Sequence, residues 1–199
     1  MVKKKKIAIL ISGNGSNMRA LIQDMTRNNH PAEPALVLSD RIGAEGIAFA
    51  KEKNILTKVV NYRTFKSQKT FEEILIQHIL DSNIDLVCLA GFMRILSPLF
   101  VNKFKNSILN VHPSLLPLFP GLNTHEKVLS SGMALHGATI HIVTNELDGG
   151  KILGQCIVPV LKGDTQITLA ARLLKQEHIL YPKIVRKFLN GEDNPFLLS

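Results

Sequence analysis

Hydrophobic positions along the first half of the chain switch between two periods. Residues 7–12 (IAILIS) form a continuous apolar run rich in β-forming side chains. From 16 to 27 the apolar residues Met18, Leu21, Ile22 and Met25 recur at helical spacing. The alternation then repeats. Strands are predicted at 35–39, 58–62, 85–90 and 107–112, with helices at 44–53, 71–80 and 98–104. In 71–80 the helical stripe is Phe71, Ile74, Leu75, Ile79 and Leu80. Strands separated by helices pair in parallel through right-handed crossovers. Strands that are apolar throughout fit a sheet covered on both faces. The pattern therefore predicts an α/β fold: a Rossmann-like, doubly wound, mostly parallel sheet of about seven strands with helices on both faces.

Beyond residue 112 the pattern changes. A Pro/Gly-rich loop, SLLPLFPGLNTHE, leads into a helix near 124–131. Two strands follow at 137–144 and 151–160, as antiparallel neighbours or joined through a longer excursion. Helical sequence from about 165 to 189 closes the chain, with an interruption expected at Pro182. No repeat or low-complexity linker divides the 199 residues, so 1–199 reads as a single domain.

Composition narrows the function. The formal charge is 24 − 16 = +8, and Lys3–Lys6 supply four of these charges as a solvated basic arm. Aromatics are 6% and no nucleic-acid motif is present, so a nucleic-acid partner is not expected. A basic surface suits small anionic substrates instead. Cys88 and Cys156 lie in apolar runs with no CxxC pair, which reads as buried reduced thiols. The N-terminal apolar run is too short for a secretory signal, and no run is long enough to span a bilayer. A soluble, cytoplasmic protein without a membrane partner is expected. His136 and His141, five apart on a strand, should face opposite sides, so no metal site is predicted.

Two segments carry candidate chemistry. The first strand runs into 12-SGNGSN-17, which opens a helix. Free backbone N–H groups and the positive end of the helix dipole make such a turn a cradle for one phosphate, with Ser16 or Asn17 capping the helix or donating to an oxygen. The loop is neither GxxxxGK[ST] nor GxGxxG, because Met18 stands where a glycine is needed. The second segment is the end of the fifth strand, where Asn110 and His112 point to one face. An asparagine N–H can stabilise a developing oxyanion, and a histidine can donate to it or move protons. Asp148, on a Gly-flanked loop, is the candidate to hold the histidine charged.

SGNGSN, AGFMRILS, the run from Asn110 through HPSLLP and FPGLNTH, GATIH with ELDGG and a later Gln, GDT, and QEHILYP occur in order across nearly the whole chain. Together they closely resemble the folate-dependent phosphoribosylglycinamide formyltransferases. The resemblance implies formyl transfer from the co-substrate 10-formyltetrahydrofolate to the amine of glycinamide ribonucleotide, in purine synthesis, by a monomer or homodimer with no metal. It implies that Asn110, His112 and Asp148 are catalytic. It assigns Gly15, Ser16, Asn17 and Glu177 to the ribonucleotide, and Gln68, Met93, Arg94, Ile95, Leu96 and Asn110 to the folate. The phosphate loop is thereby expected in the N-terminal half, and folate binding and catalysis in the C-terminal half. Two positions depart from the family pattern. Gln68 stands where relatives often carry a basic residue, which puts a salt bridge to the folate tail in doubt, and Lys151 replaces the usual proline after LDxG. Rival readings are a formyltetrahydrofolate deformylase, a methionyl-tRNA formyltransferase core, and a non-enzymatic phosphate-binding module. The last leaves Asn110, His112 and Asp148 without a role.

Overall fold

The computed structural model describes residues 3–27, 29–192 and 194–198. Two compact units are present, one up to Leu109 and one from Asn110. In the first, the elements are β1 (Lys5–Ile11), α1 (Ser16–Met25), β2 (Ala32–Ser39), α2 (Glu45–Glu52), β3 (Leu56–Val59), a 3-10 turn (Tyr62–Thr64), α3 (Gln68–Asp81), β4 (Leu86–Leu89) and α4 (Pro98–Lys103). The strand order is β3-β2-β1-β4, all parallel. β1 is paired on both edges, and Ile7 to Ile11 are fully buried. Burying one such aliphatic side chain contributes about 1.5–3 kcal/mol. The chain steps from β1 to β2 on one side and later to β4 on the other. The order thus reverses at β1, where loops at the carboxyl ends of strands part to form a crevice.

Helices of this unit form where the apolar stripe allows. Met18, Leu21, Ile22 and Met25 of α1 are all buried. In α3, Phe71, Leu75 and Ile79 are buried, and the Ser67 side chain caps the helix by accepting from the Thr70 N–H. Tyr62 and Phe65 pack edge-on against Phe71, with ring centroids 5.1 and 5.7 Å apart. β3 ends at Val59, earlier than the predicted strand. Asn61 accepts from the Arg63 N–H and turns the chain into the 3-10 turn.

β5 (Ile108–His112) passes from the first unit into the second, which continues with α5 (Thr124–Ser131), β6 (Leu135–Ile142), β7 (Ile152–Pro159), α6 (Gln166–Leu189) and β8 (Phe196–Leu198). β6 and β7 are antiparallel, as one of the two sequence readings had it, and β8 adds in parallel to β7. With β8, the described residues hold eight strands where about seven were expected. The mostly parallel α/β class is as predicted.

The predicted break at Pro182 is absent: α6 runs unbroken over 24 residues. A proline inside a helix removes one hydrogen bond and crowds the carbonyl four residues earlier. Here Leu180, Tyr181, Ile184 and Val185, all buried around Pro182, outweigh that cost through packing. A capping box of Thr165 and Thr168 starts the helix. Asp164 grips Arg172 through two bonds of 2.7 Å. Cys88 and Cys156 are both buried. Burial, then the Glu177 carboxylate, pushes the Cys156 thiol up to about 11. Among the described residues, no helix is long and apolar enough to cross a membrane.

Candidate active site

β5 delivers Asn110 and His112 to one face, two residues apart as the strand period requires. His112 is buried and Asn110 half-buried. The segment after His112 is fastened by one hydroxyl. Thr139 Oγ1 donates to the Ser114 carbonyl (2.6 Å) and accepts from the Leu116 N–H (3.1 Å) and Gln155 Nε2 (2.9 Å). That fills the one donor and two acceptor sites of a hydroxyl. Gln155 also donates to the Leu116 carbonyl. The Thr and Gln of the sequence motif therefore fix the HPSLLP segment. Gly137, beside them, leaves no space for a Cβ against the Cys156 carbonyl and Leu115.

Asp148 lies in the loop between β6 and β7, with φ 53°. The loop closes tightly: Ile142 N–H bonds the Lys151 carbonyl, and a Cβ on Gly150 would overlap the Ile142 carbonyl. Its carboxylate, 9% exposed, accepts from the Gly121 N–H at 2.9 Å through Oδ2. The same oxygen is 3.5 Å from His112 Nδ1, and Oδ1 is 3.8 Å from His141 Nε2. His112 Nε2 lies 3.1 Å from the Phe119 carbonyl. A carbonyl only accepts, so Nε2 carries a proton. Nδ1, on the other side of the ring, faces the Asp148 carboxylate.

His141, read from the sequence as a core or capping residue, belongs to this cluster. Its Nε2 is 3.2 Å from Asn110 Nδ2, and its Nδ1 is 3.1 Å from the Ile142 carbonyl. Nothing in the alternating strand pattern distinguishes it. His136, on the same strand, pairs with His125 of α5 (Nε2 to Nδ1, 2.9 Å). Burial, then like charge on His125 and His112, pushes His136 down to about 4. Among the described residues, no three His, Cys, Asp or Glu side chains group as metal ligands would.

The predicted phosphate loop sits at the carboxyl end of β1, at the point where strand order reverses. Gly15 is the N-cap of α1, in the left-handed region at φ 67°, with Met18 Cε and the Gly46 Cα only 3.0 and 3.2 Å from where a Cβ would stand. Ser16 and Asn17 therefore occupy the first turn rather than the cap, and no side chain caps the helix. This corrects the expected Ser/Asn cap: the sharp turn requires glycine at the capping position, and the turn's N–H groups stay uncovered by a cap. The loop is tied to the β4 loop by Ser12 N–H to the Gly91 carbonyl (3.1 Å) and Met93 N–H to Ser12 Oγ (2.9 Å).

The β4 loop lines a cleft of about 270 Å3 formed by Tyr62, Gln68, Phe71, Glu72, Met93, Arg94 and Ile95. Leu96 is buried and is not among the lining residues. Arg94 is held by Asp40 (Nε to Oδ2, 2.9 Å) and lies over the Tyr62 ring at 3.7 Å. Gln68 Nε2 donates to the Ile95 carbonyl (2.8 Å) and Glu72 Oε1 (2.9 Å). Both amide hydrogens are used, which leaves its carbonyl oxygen for a ligand. Buried Glu72 also accepts from the Ser97 N–H (2.8 Å) and the Ser97 hydroxyl, bracing the loop from behind. Glu177 of α6 is buried and acts electrostatically on Cys156, so it is not a surface glutamate.

A family model described as formyl transferase matches residues 5–185. Phosphoribosylglycinamide formyltransferase of Escherichia coli is 42% identical over 185 residues, covering 93% of this chain and 87% of that protein. The human trifunctional purine biosynthetic protein adenosine-3 is 41% identical over 95% of this chain, which spans 19% of that protein's length. A crystal structure of phosphoribosylglycinamide formyltransferase from Brucella melitensis superposes with a TM-score of 0.90 at 48% identity, covering 95% of this chain and 97% of that one. With the match running from β1 into α6 and taking in the strand that presents Asn110 and His112, the chain belongs to the formyl transferase family.

Proposed function

We propose that this chain transfers the formyl group of 10-formyltetrahydrofolate to the amine of glycinamide ribonucleotide, giving formylglycinamide ribonucleotide and tetrahydrofolate. The observation that carries this reading is the convergence of Asn110, His112 and Asp148, within 3.5 Å between His112 and Asp148, on a formyl transferase chain. The near-full-length E. coli relative supports the choice of acceptor.

In this reading the amine lone pair attacks the formyl carbon, and the carbonyl electrons move onto oxygen. Asn110 Nδ2–H and His112 Nε2–H donate to that oxyanion. Here that Nε2–H donates a hydrogen bond to the Phe119 carbonyl. One such donor is worth roughly a hundred- to thousandfold in rate. Asp148, on the opposite side of the ring, keeps His112 charged or correctly oriented for this step. Collapse of the intermediate breaks the bond to N10, which takes up the proton that the amine loses. The transfer is direct and leaves nothing attached to the protein.

Gly15, Ser16 and Asn17 would receive the ribonucleotide phosphate at the start of α1, and Glu177 would take its ribose hydroxyls. The cleft walls at Met93, Arg94 and Ile95 would hold the folate, with Leu96 supporting them from the core, Gln68 offering its carbonyl oxygen and Asn110 meeting the formyl end. Residues 1–199 would make up one formyltransferase domain.

The test follows tetrahydrofolate and formate with 10-formyltetrahydrofolate, with and without glycinamide ribonucleotide. Tetrahydrofolate that forms only with the ribonucleotide, and without formate, is the expected result. Formate released in its absence would make the protein a hydrolase.

A further inference from the structure

The Asn110 amide can face His141 in two ways, with its nitrogen or with its oxygen turned toward the ring. His141 decides between them. Its Nδ1 is 3.1 Å from the Ile142 carbonyl, an acceptor with no proton to give, so Nδ1 carries the hydrogen. A neutral ring then has a bare lone pair at Nε2, and that atom is 3.2 Å from Asn110 Nδ2. The amide nitrogen donates there with one of its two hydrogens. Turned over, the amide would set its oxygen lone pairs against the lone pair of Nε2.

The charge on the ring is contested from several sides. Burial disfavours the cation and is the largest influence, and His112 repels it further. Asp148, with Oδ1 3.8 Å from Nε2, and the Ile142 carbonyl both favour it. The net direction is downward, and the side chain is 2% exposed, so the ring stays neutral. Two imidazoles thus flank one carboxylate, and His141 is the one that carries hydrogen on Nδ1 and a bare Nε2.

We propose that His141 is a positioning residue whose unprotonated Nε2 holds the nitrogen end of the Asn110 amide and leaves the second amide N–H for the developing oxyanion. The proposal rests on the formyl-transfer reading for its consequence, though not for its geometry.

Two variants and one spectrum test it. His141→Phe keeps a buried ring without an acceptor. With wild-type transfer established, kcat should fall about tenfold or more while both KM values stay within about twofold, because misplacing a reacting group costs rate before affinity. His141→Gln restores an amide oxygen near the place of Nε2 and should recover kcat to within about threefold of wild type. In wild-type protein, 15N spectra of the histidines near neutral pH should show His141 with a hydrogen on Nδ1 and a bare Nε2. A His141→Phe enzyme that folds and keeps kcat within about twofold of wild type overturns the proposal. So does a spectrum with hydrogen on Nε2, which also decides the matter if the phenylalanine variant fails to fold. Absence of formyl transfer by the wild type would instead remove the proposed reaction, leaving the amide geometry to be judged by the spectrum.

Discussion

Lowering the pH from about 7.5 to about 5 should cost this protein about 2 kcal/mol of stability through His136 alone. The ring is 1% exposed and 2.9 Å from His125, its nearest polar partner, which itself is shifted toward the neutral form by burial. Unfolded, the ring titrates at 6.5, and folded at about 4. The folded value is the lower, so the unfolded chain takes up the proton first as the pH falls. Stability is full above about pH 6.5 and declines through the window down to about pH 4, below which both states are protonated. Integrated over that window, the loss is about 2 kcal/mol by about pH 5 and about 3 kcal/mol by about pH 4. Urea denaturation of wild type and His136→Gln at both ends of the range isolates the effect, because the remaining titrating groups largely cancel in the difference. The variant should lose about 2 kcal/mol less than wild type on acidification, whatever its starting stability. Equal losses in the two proteins would falsify the assignment of the acid sensitivity to the His125–His136 pair.

Three further outcomes follow from the site. His112→Ala should cut kcat by about a hundredfold or more while leaving the melting temperature within a few degrees, since its ring donates to the charge that develops; undiminished turnover removes it from the mechanism. Asp148→Asn keeps an acceptor for the Gly121 N–H but removes the charge 3.5 Å from His112, so kcat should fall and its pH profile shift, and an unmoved profile would separate the two residues. Ser16→Asp places an anion in the first turn of α1 and should raise the KM for the ribonucleotide by about tenfold or more while sparing that for the folate; equal ribonucleotide affinity, measured by calorimetry, would reject the phosphate cradle.

What the sequence revealed followed from periodicity. β1 and α1 stand where the apolar spacing put them, because each buries a continuous run or a single stripe, whereas β2 begins three residues early and Ile74 and Leu80 of the expected α3 stripe are exposed. β8 escaped because three residues carry no period, and their strand exists only through pairing with β7. Pro182 misled because local backbone preference was outweighed by the packing of its neighbours. At the site, Asn110 and His112 were legible together because strand geometry puts i and i+2 on one face. Asp148 was visible from its glycines, and the structure brings it to His112. His141 was hidden, since its role depends on which nitrogen carries a hydrogen, and that is set by a carbonyl beside it in space. The Asp40–Arg94–Tyr62 contact was equally invisible, joining three loops far apart in sequence.

Both cysteine thiols are sealed inside the fold, and that of Cys156 is held at about 11, far from the reactive thiolate. Maleimides and iodoacetamides will therefore pass over the folded chain, which makes it a ready background for a single reporter. Leu122, 78% exposed, directly follows Gly121, whose N–H holds Asp148. A dye or spin label attached after Leu122→Cys would ride on the very segment that fixes the carboxylate, and would report each time that segment lets go.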